Sequence, residues 1–237
     1  MQESKLSLMI QGHEIWLEKT GTGNGNVELS LIFGHNMRQD GVGDVKRLSP
    51  LVYLPDGNKL DVTLTPGEDR HFMRFNAAKD GFYTAFVDMG TTVWSQTKEG
   101  YNEGPKFKFK DVIYAGAYHQ MAKTVVAAGN AGEYRGVPLH GILEIVPKEP
   151  FAQAGEAMEM KVLYEDKPLA AAEVKAVSKK EGKEMAVVKT DENGVARVPV
   201  SGEGQWMFLV RHLDPTKKVN EEFDESVFVN TLVLEVR

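Results

Sequence analysis

An all-β fold, built as two β-sandwich domains, is what this sequence predicts, and three observations predict it. Asn-Gly or Asp-Gly pairs occur five times, at Asn24-Gly25, Asp40-Gly41, Asp56-Gly57, Asp80-Gly81 and Asn193-Gly194. Such pairs tolerate the positive φ angles of tight hairpin turns, and four of them separate short runs rich in Val, Ile, Leu, Phe and Tyr. Within 26–35, Val27, Leu29, Leu31, Phe33 and His35 share one parity while Glu28 and Ser30 take the other. A period of two marks a half-buried strand. Finally, 237 residues are long for one sandwich and comfortable for two.

Taken in order, residues 1–12 read as a leader or a vector-derived remnant. Their apolar core, LSLMI, is shorter than the ~7–15 residues of a signal-peptide core. The first strand spans roughly 13–20, with Trp16 blurring its alternation, and the second roughly 26–35. A turn at Asn24-Gly25 puts Glu14 beside His35 and His13 beside Asn36, to within a residue or so. LSPLVYL then runs away from that end, Asp56-Gly57 turns it, and KLDVTLT returns. RHFMRF leaves again, Asp80-Gly81 turns it, and GFYTAFVDM returns, which places His13, His35, His71 and Asp88 in one rim layer.

TTVWSQT reads as a strand, KEGYNEGPKFKFK as a long loop, and DVIYAGAYHQMAK as a short helix or an extended segment, with one or two helical turns before a strand at 122–128 preferred. HGILEIVP ends the first domain, 13–146. PKEP at 147–150 is a stiff linker, and 151–237 forms a second sandwich of six or seven strands, immunoglobulin-like or transthyretin-like in its turn spacing.

Composition removes several functions. The chain has no cysteine, which excludes disulfides, thiolate metal sites and a cysteine nucleophile. A net charge of −6, with no basic run interleaved with aromatics, argues against nucleic acid. No apolar run approaches the ~18–20 residues that span a bilayer. There is no G-x-S-x-G elbow, no P-loop and no G-x-G-x-x-G after a strand. GTGNGN lies in a hairpin turn instead.

Six histidines remain: His13, His35, His71, His119, His140 and His212. Imidazole suits nickel, cobalt, copper and zinc, with carboxylate or water completing the sphere. No H-x-x-x-H is present, so a site must be assembled from distant segments. His13, His35, His71 and His119 are the candidate ligands, with Asp88 and Glu14 as candidate oxygen ligands or supporting partners. His140 and His212 read as structural, and the ten methionines as core filler.

HEIWLE, the GH after the second strand, GFYTAFVD, AKTVV, GILEIVP, DKPLAAAEV, KTDENGVARV and GQWMFLV, in that order, resemble a family of bacterial periplasmic proteins. Its members are described as domain-of-unknown-function proteins or as periplasmic components of cobalt/nickel uptake transporters. The resemblance implies an exported, periplasmic protein that holds Ni²⁺ or Co²⁺, or assists a membrane transporter component that does. It implies a metal role for His13 and His35, which match the family's amino-terminal histidine and its GH element. The expected function is therefore non-enzymatic metal capture at the rim of the first domain, with loops 36–48 and 98–110 closing over the ion. The alternative is a glycan- or peptide-binding module using Trp94 and Tyr101. A third reading, an oxidative copper enzyme, needs His13 as the free amino terminus, and Gly12 precedes it.

Overall fold

The computed structural model describes residues 13–23 and 25–237; the leader expected at 1–12 and Asn24 of the first turn lie outside the described residues. The first half contains β1 (Glu14–Gly23), β2 (Asn26–His35), β3 (Arg38–Gly41), β4 (Ser49–Tyr53), β5 (Lys59–Asp61), β6 (Leu64–Pro66), β7 (His71–Asn76), β8 (Gly81–Thr97), β9 (Gly100–Glu103) and β10 (Val112–Ala128). The second contains β11 (Leu143–Pro147), β12 (Phe151–Ala152), β13 (Ala157–Tyr164), β14 (Lys167–Pro168), β15 (Glu173–Ser178), β16 (Lys183–Lys189), β17 (Val195–Pro199), β18 (Gly204–Asp214) and β19 (Glu225–Val236). Among the described residues the only helical pieces are single 3₁₀ turns at Val45–Arg47 and Lys106–Lys108. The fold is all-β, as the turn chemistry and alternation require.

Among the described residues, three sheets build it. A five-stranded sheet runs β1-β2-β7-β6 with β3 on β2. A ten-stranded sheet runs β16-β15-β18-β19-β10-β8-β4-β5, with β12 on β19 and β9 on β8. A four-stranded sheet runs β11-β13-β14 with β17 on β13. The first sandwich packs Ile15, Leu17, Leu29, Leu31 and Met73 onto Val52, Ala85, Val87, Ala122 and Val126. The second packs Ile145, Met160, Val162 and Val198 onto Val174, Trp206, Phe208, Val210 and Leu234. Its two facing sheets have the arrangement of an immunoglobulin-like sandwich.

A third apolar cluster joins the two. Trp16, Ile32 and Met37 pack on Val177, Met207, Leu209, Val227, Val229 and Val233. The ten-stranded sheet therefore touches both faces of the β1–β2 hairpin. That is why Trp16 broke the alternation: Ile15, Trp16 and Leu17 are all 1% exposed or less. Polar links pin the same seam. Thr231 Oγ1 donates to the Ile15 carbonyl at 2.6 Å, and the Gln205 amide bonds both the N–H and the carbonyl of Lys19.

Two expectations are corrected. The segment 112–121 is not helical but the first part of the 17-residue β10. Met121 belongs to the second core and Ala122 to the first. With both faces buried the strand carries no period of two, so its Ala-rich sequence imitates a helix. The boundary also moves. β11 pairs with β13 from Leu143↔Tyr164 to Pro147↔Met160, so 143–147 belongs to the second sandwich. The proposed linker 147–150 begins inside a strand, and the parallel β10–β19 ladder makes one sheet common to both units.

Candidate metal centre

The hairpin β1–β2 carries the first two candidate ligands. Its ladder shifts between Lys19 and Gly21, so Glu14 faces Gly34 rather than His35. The one-residue slip carries His13 to His35, and their ring centroids lie 4.3 Å apart. His13 also stacks on Phe33 at 4.5 Å.

The third member is Asp40, which comes from a hairpin that sequence reasoning missed. β2 turns into β3 through Asn36 and Met37, both at positive φ (50° and 58°), as a two-residue type I′ turn requires. The chain folds so tightly over Gly34 that a Cβ there would sit 2.1 Å from the Arg38 carbonyl oxygen. Gly34 pairs with Gln39 but Phe33 with Gly41, leaving Asp40 as the extra residue of a bulge. Bulges re-aim side chains. Here Asp40 Oδ1 lies 3.2 Å from His13 Nε2 and Oδ2 lies 2.5 Å from His35 Nδ1. One ligand atom from each of the three side chains lies within 4.8 Å of the others.

Electrostatics leave the imidazole of His13 free to ligate. Burial, and then the charge of a protonated His35, hold its pKa below 6.5, against the pull of Asp40. Glu14, on the opposite face of β1, is pushed up to about 6 by burial, with His35 and Arg211 opposing the rise. Its Oε2 is buried without a hydrogen-bond partner.

The other candidates are held elsewhere. His71 faces Leu31, four residues inward from His35 along β2. Its Nε2–H donates to the Gly43 carbonyl at 2.7 Å, which anchors the loop after β3. His119 Nε2 bonds Asp88 Oδ1 at 2.9 Å, and its Nδ1 lies 3.3 Å from Thr91 Oγ1. Burial would raise the Asp88 carboxyl, but the bonds from His119 and the Gly90 amide hold it below the usual range. His119 and Asp88 thus form a separate pair across β8 and β10. His140 pairs with Asp166, and His212 packs on Tyr164.

The two histidines open onto a cleft of about 510 Å³ at the mouth of the first sandwich. Val42, Gly43, Asp44 and Arg47 form one lip, and Tyr101 and Glu103 the other. The first lip falls within the loop expected at 36–48, but Tyr101 and Glu103 lie on β9, so the loop expected at 98–110 is in part a strand paired with β8. Trp94, Tyr118, Met89 and Gln120 line the interior. The aromatic residues of the alternative reading and the histidines of the first therefore share one cavity.

A family model described as "Domain of unknown function (DUF4198)" matches residues 10–214. No curated protein matches the chain. Among solved structures, the D0-D1 domain of Intimin is 14% identical and covers 93% of this chain and 97% of its own, at a TM-score of 0.23. Native alpha-2-macroglobulin from Escherichia coli, domains MG0-NIE-MG1, is 9% identical over 96% of this chain and 97% of its own, at 0.24. Murine CEACAM1b is 8% identical over 95% of this chain and all of its own, at 0.25. Likeness at these TM-scores says nothing about function.

Proposed function

We propose that this chain, which belongs to the domain-of-unknown-function family DUF4198, is a binding protein for a divalent transition metal, held by His13, His35 and Asp40. The observation that carries the proposal is their convergence. Three side chains from the start of β1, the end of β2 and the bulge of β3 bring donor atoms within 4.8 Å of one another. Two imidazoles and a carboxylate form a borderline set suited to nickel, cobalt, copper or zinc rather than to calcium or magnesium. Ni²⁺ or Co²⁺ is the expected cargo. The role is capture and release, in the periplasm and as an accessory to a membrane uptake transporter; these last elements are supported by the sequence resemblance alone. Among the described residues no helix is long and apolar enough to cross a membrane.

Calorimetry of the chain with Ni²⁺ and Co²⁺, against a His13→Ala/His35→Ala variant and an Asp40→Ala variant, tests this. Saturable binding to the wild type that is lost in both variants is expected. Equal, weak binding by all three would remove the proposal. A second reading is favoured by the aromatic wall of the cleft: a glycan or peptide site at Trp94 and Tyr101. It predicts binding that survives chelator and is lost in Trp94→Ala.

A further inference from the structure

The triad leaves a metal ion unsaturated. Three protein donors cannot fill a tetrahedral or octahedral sphere, and open positions are taken by water or by a ligand. What faces His13 and His35 is not a water-sized gap. The cleft holds about 510 Å³, against a water's share of about 30 Å³, and falls inside the ~300–1,000 Å³ range of small-molecule sites.

Its walls have a definite chemistry. Phe33, Trp94, Tyr101 and Tyr118 offer flat apolar faces. Arg47 stands at the lip in a loose ion pair with Glu103, at 3.7 Å and without a hydrogen bond, which leaves its N–H donors for a ligand. A guanidinium asks for a carboxylate, and the aromatic faces ask for a planar or apolar body. One class of molecule offers both and also binds metal: an amino acid with a ring side chain.

We infer that the cleft receives the divalent ion as a complex with a small amino-acid chelator. The chelator's carboxylate meets Arg47, and its ring lies along the wall of Trp94 and Tyr101. His13, His35 and Asp40 occupy the positions on the ion that the chelator leaves open. The inference rests on the metal site proposed above and adds the ligand that arrives with the ion.

The probe is nickel with L-histidine. Metal-free, full-length chain is dialysed to equilibrium against labelled Ni²⁺, supplied either as the aqua ion in a non-coordinating buffer or with histidine carrying a second label. Histidine is expected to be retained in step with nickel, and nickel to be held at least about tenfold more tightly when histidine is present. Arg47→Ala and Trp94→Ala, checked for native melting, shrink that advantage to under about threefold. Histidine that strips nickel from the protein, or nickel retained without histidine, overturns the inference while leaving the metal site standing. Binding of neither nickel form, or equal binding by the His13→Ala/His35→Ala variant, overturns both. Histidine retained without nickel overturns both as well and points to a purely organic ligand.

Discussion

Replacing Glu144 with Gln removes one partner of a charge pair sealed between the two sandwiches. The Lys123 and Glu144 side chains are each 3% exposed, and Nζ lies 2.9 Å from Oε1. The Glu144 carboxylate also accepts the Leu139 N–H, at 2.9 Å from each oxygen. Burial lowers the Lys123 pKa, and Glu144 works against that. Glutamine keeps the shape but turns an NH₂ toward either the ammonium or the amide, so one donor faces another. Stranding a buried charge in this way costs about 3–5 kcal/mol. With about 2–4 °C per kcal/mol for chains of this size, the melting point falls by roughly 6–20 °C. Urea titration followed by tryptophan fluorescence, together with calorimetry, measures both quantities. The double variant Lys123→Met/Glu144→Leu removes both charges and leaves only the Leu139 amide short of a partner, at about 1–3 kcal/mol. It should be more stable than Glu144→Gln. A single variant within about 1 kcal/mol of wild type, or a double variant worse than the single, would refute the account of this pair.

Three further outcomes are expected. Gly34→Ala puts a methyl group 2.1 Å from the Arg38 carbonyl, so the β2–β3 turn must open. Nickel affinity then falls at least about tenfold by calorimetry while far-ultraviolet dichroism stays native, because Asp40 leaves the histidines. The pKa of Glu14 is raised to about 6 from 4.5, so its ionised form burdens the fold at neutral pH. The stability that the protonated form contributes is complete below pH 4.5 and lost as pH rises through about 6. Glu14→Gln should therefore stabilise the metal-free protein at pH 7 by up to about 2 kcal/mol, with the gain vanishing below pH 4.5, as denaturation at the two pH values would show. Finally, burial and the charge of His35 hold the His13 pKa below its ordinary value, so nickel binding should persist into mildly acidic solution and weaken as pH falls further, because protonated imidazole cannot ligate. Titrations at pH 7.5, 6.5 and 5.5 check this.

Much of the site was legible because a hairpin has two ends. Once the turn near Gly25 was read, His13 and His35 had to lie at the other end, whatever the sheets did. The bulge near Thr20 was not legible, since one extra residue leaves no local signature; it made the two histidines direct neighbours. Asp40 was hidden for a related reason. Asp40-Gly41 carries turn chemistry, yet the chain turns earlier, at Asn36 and Met37, and methionine at positive φ announces nothing. His71 and Asp88 lie on the strands that direction counting assigned them, but counting strands cannot see that Gly43 and His119 take up their polar atoms. The shared sheet was invisible because β10 meets β19 across more than a hundred residues, and parallel pairing has no turn to mark it.

The position of β19 also sets an order of events during synthesis. It lies between β10 and β18 and is made after every other strand described. Until it leaves the ribosome, the outer edge of β10 and the inner edge of β18 both stand open, and Trp16 has no complete cavity to enter. The second core and the seam between the halves, which both contain residues of β19, cannot be completed earlier. The strand edges that β19 covers must be kept apart from other chains until that segment arrives.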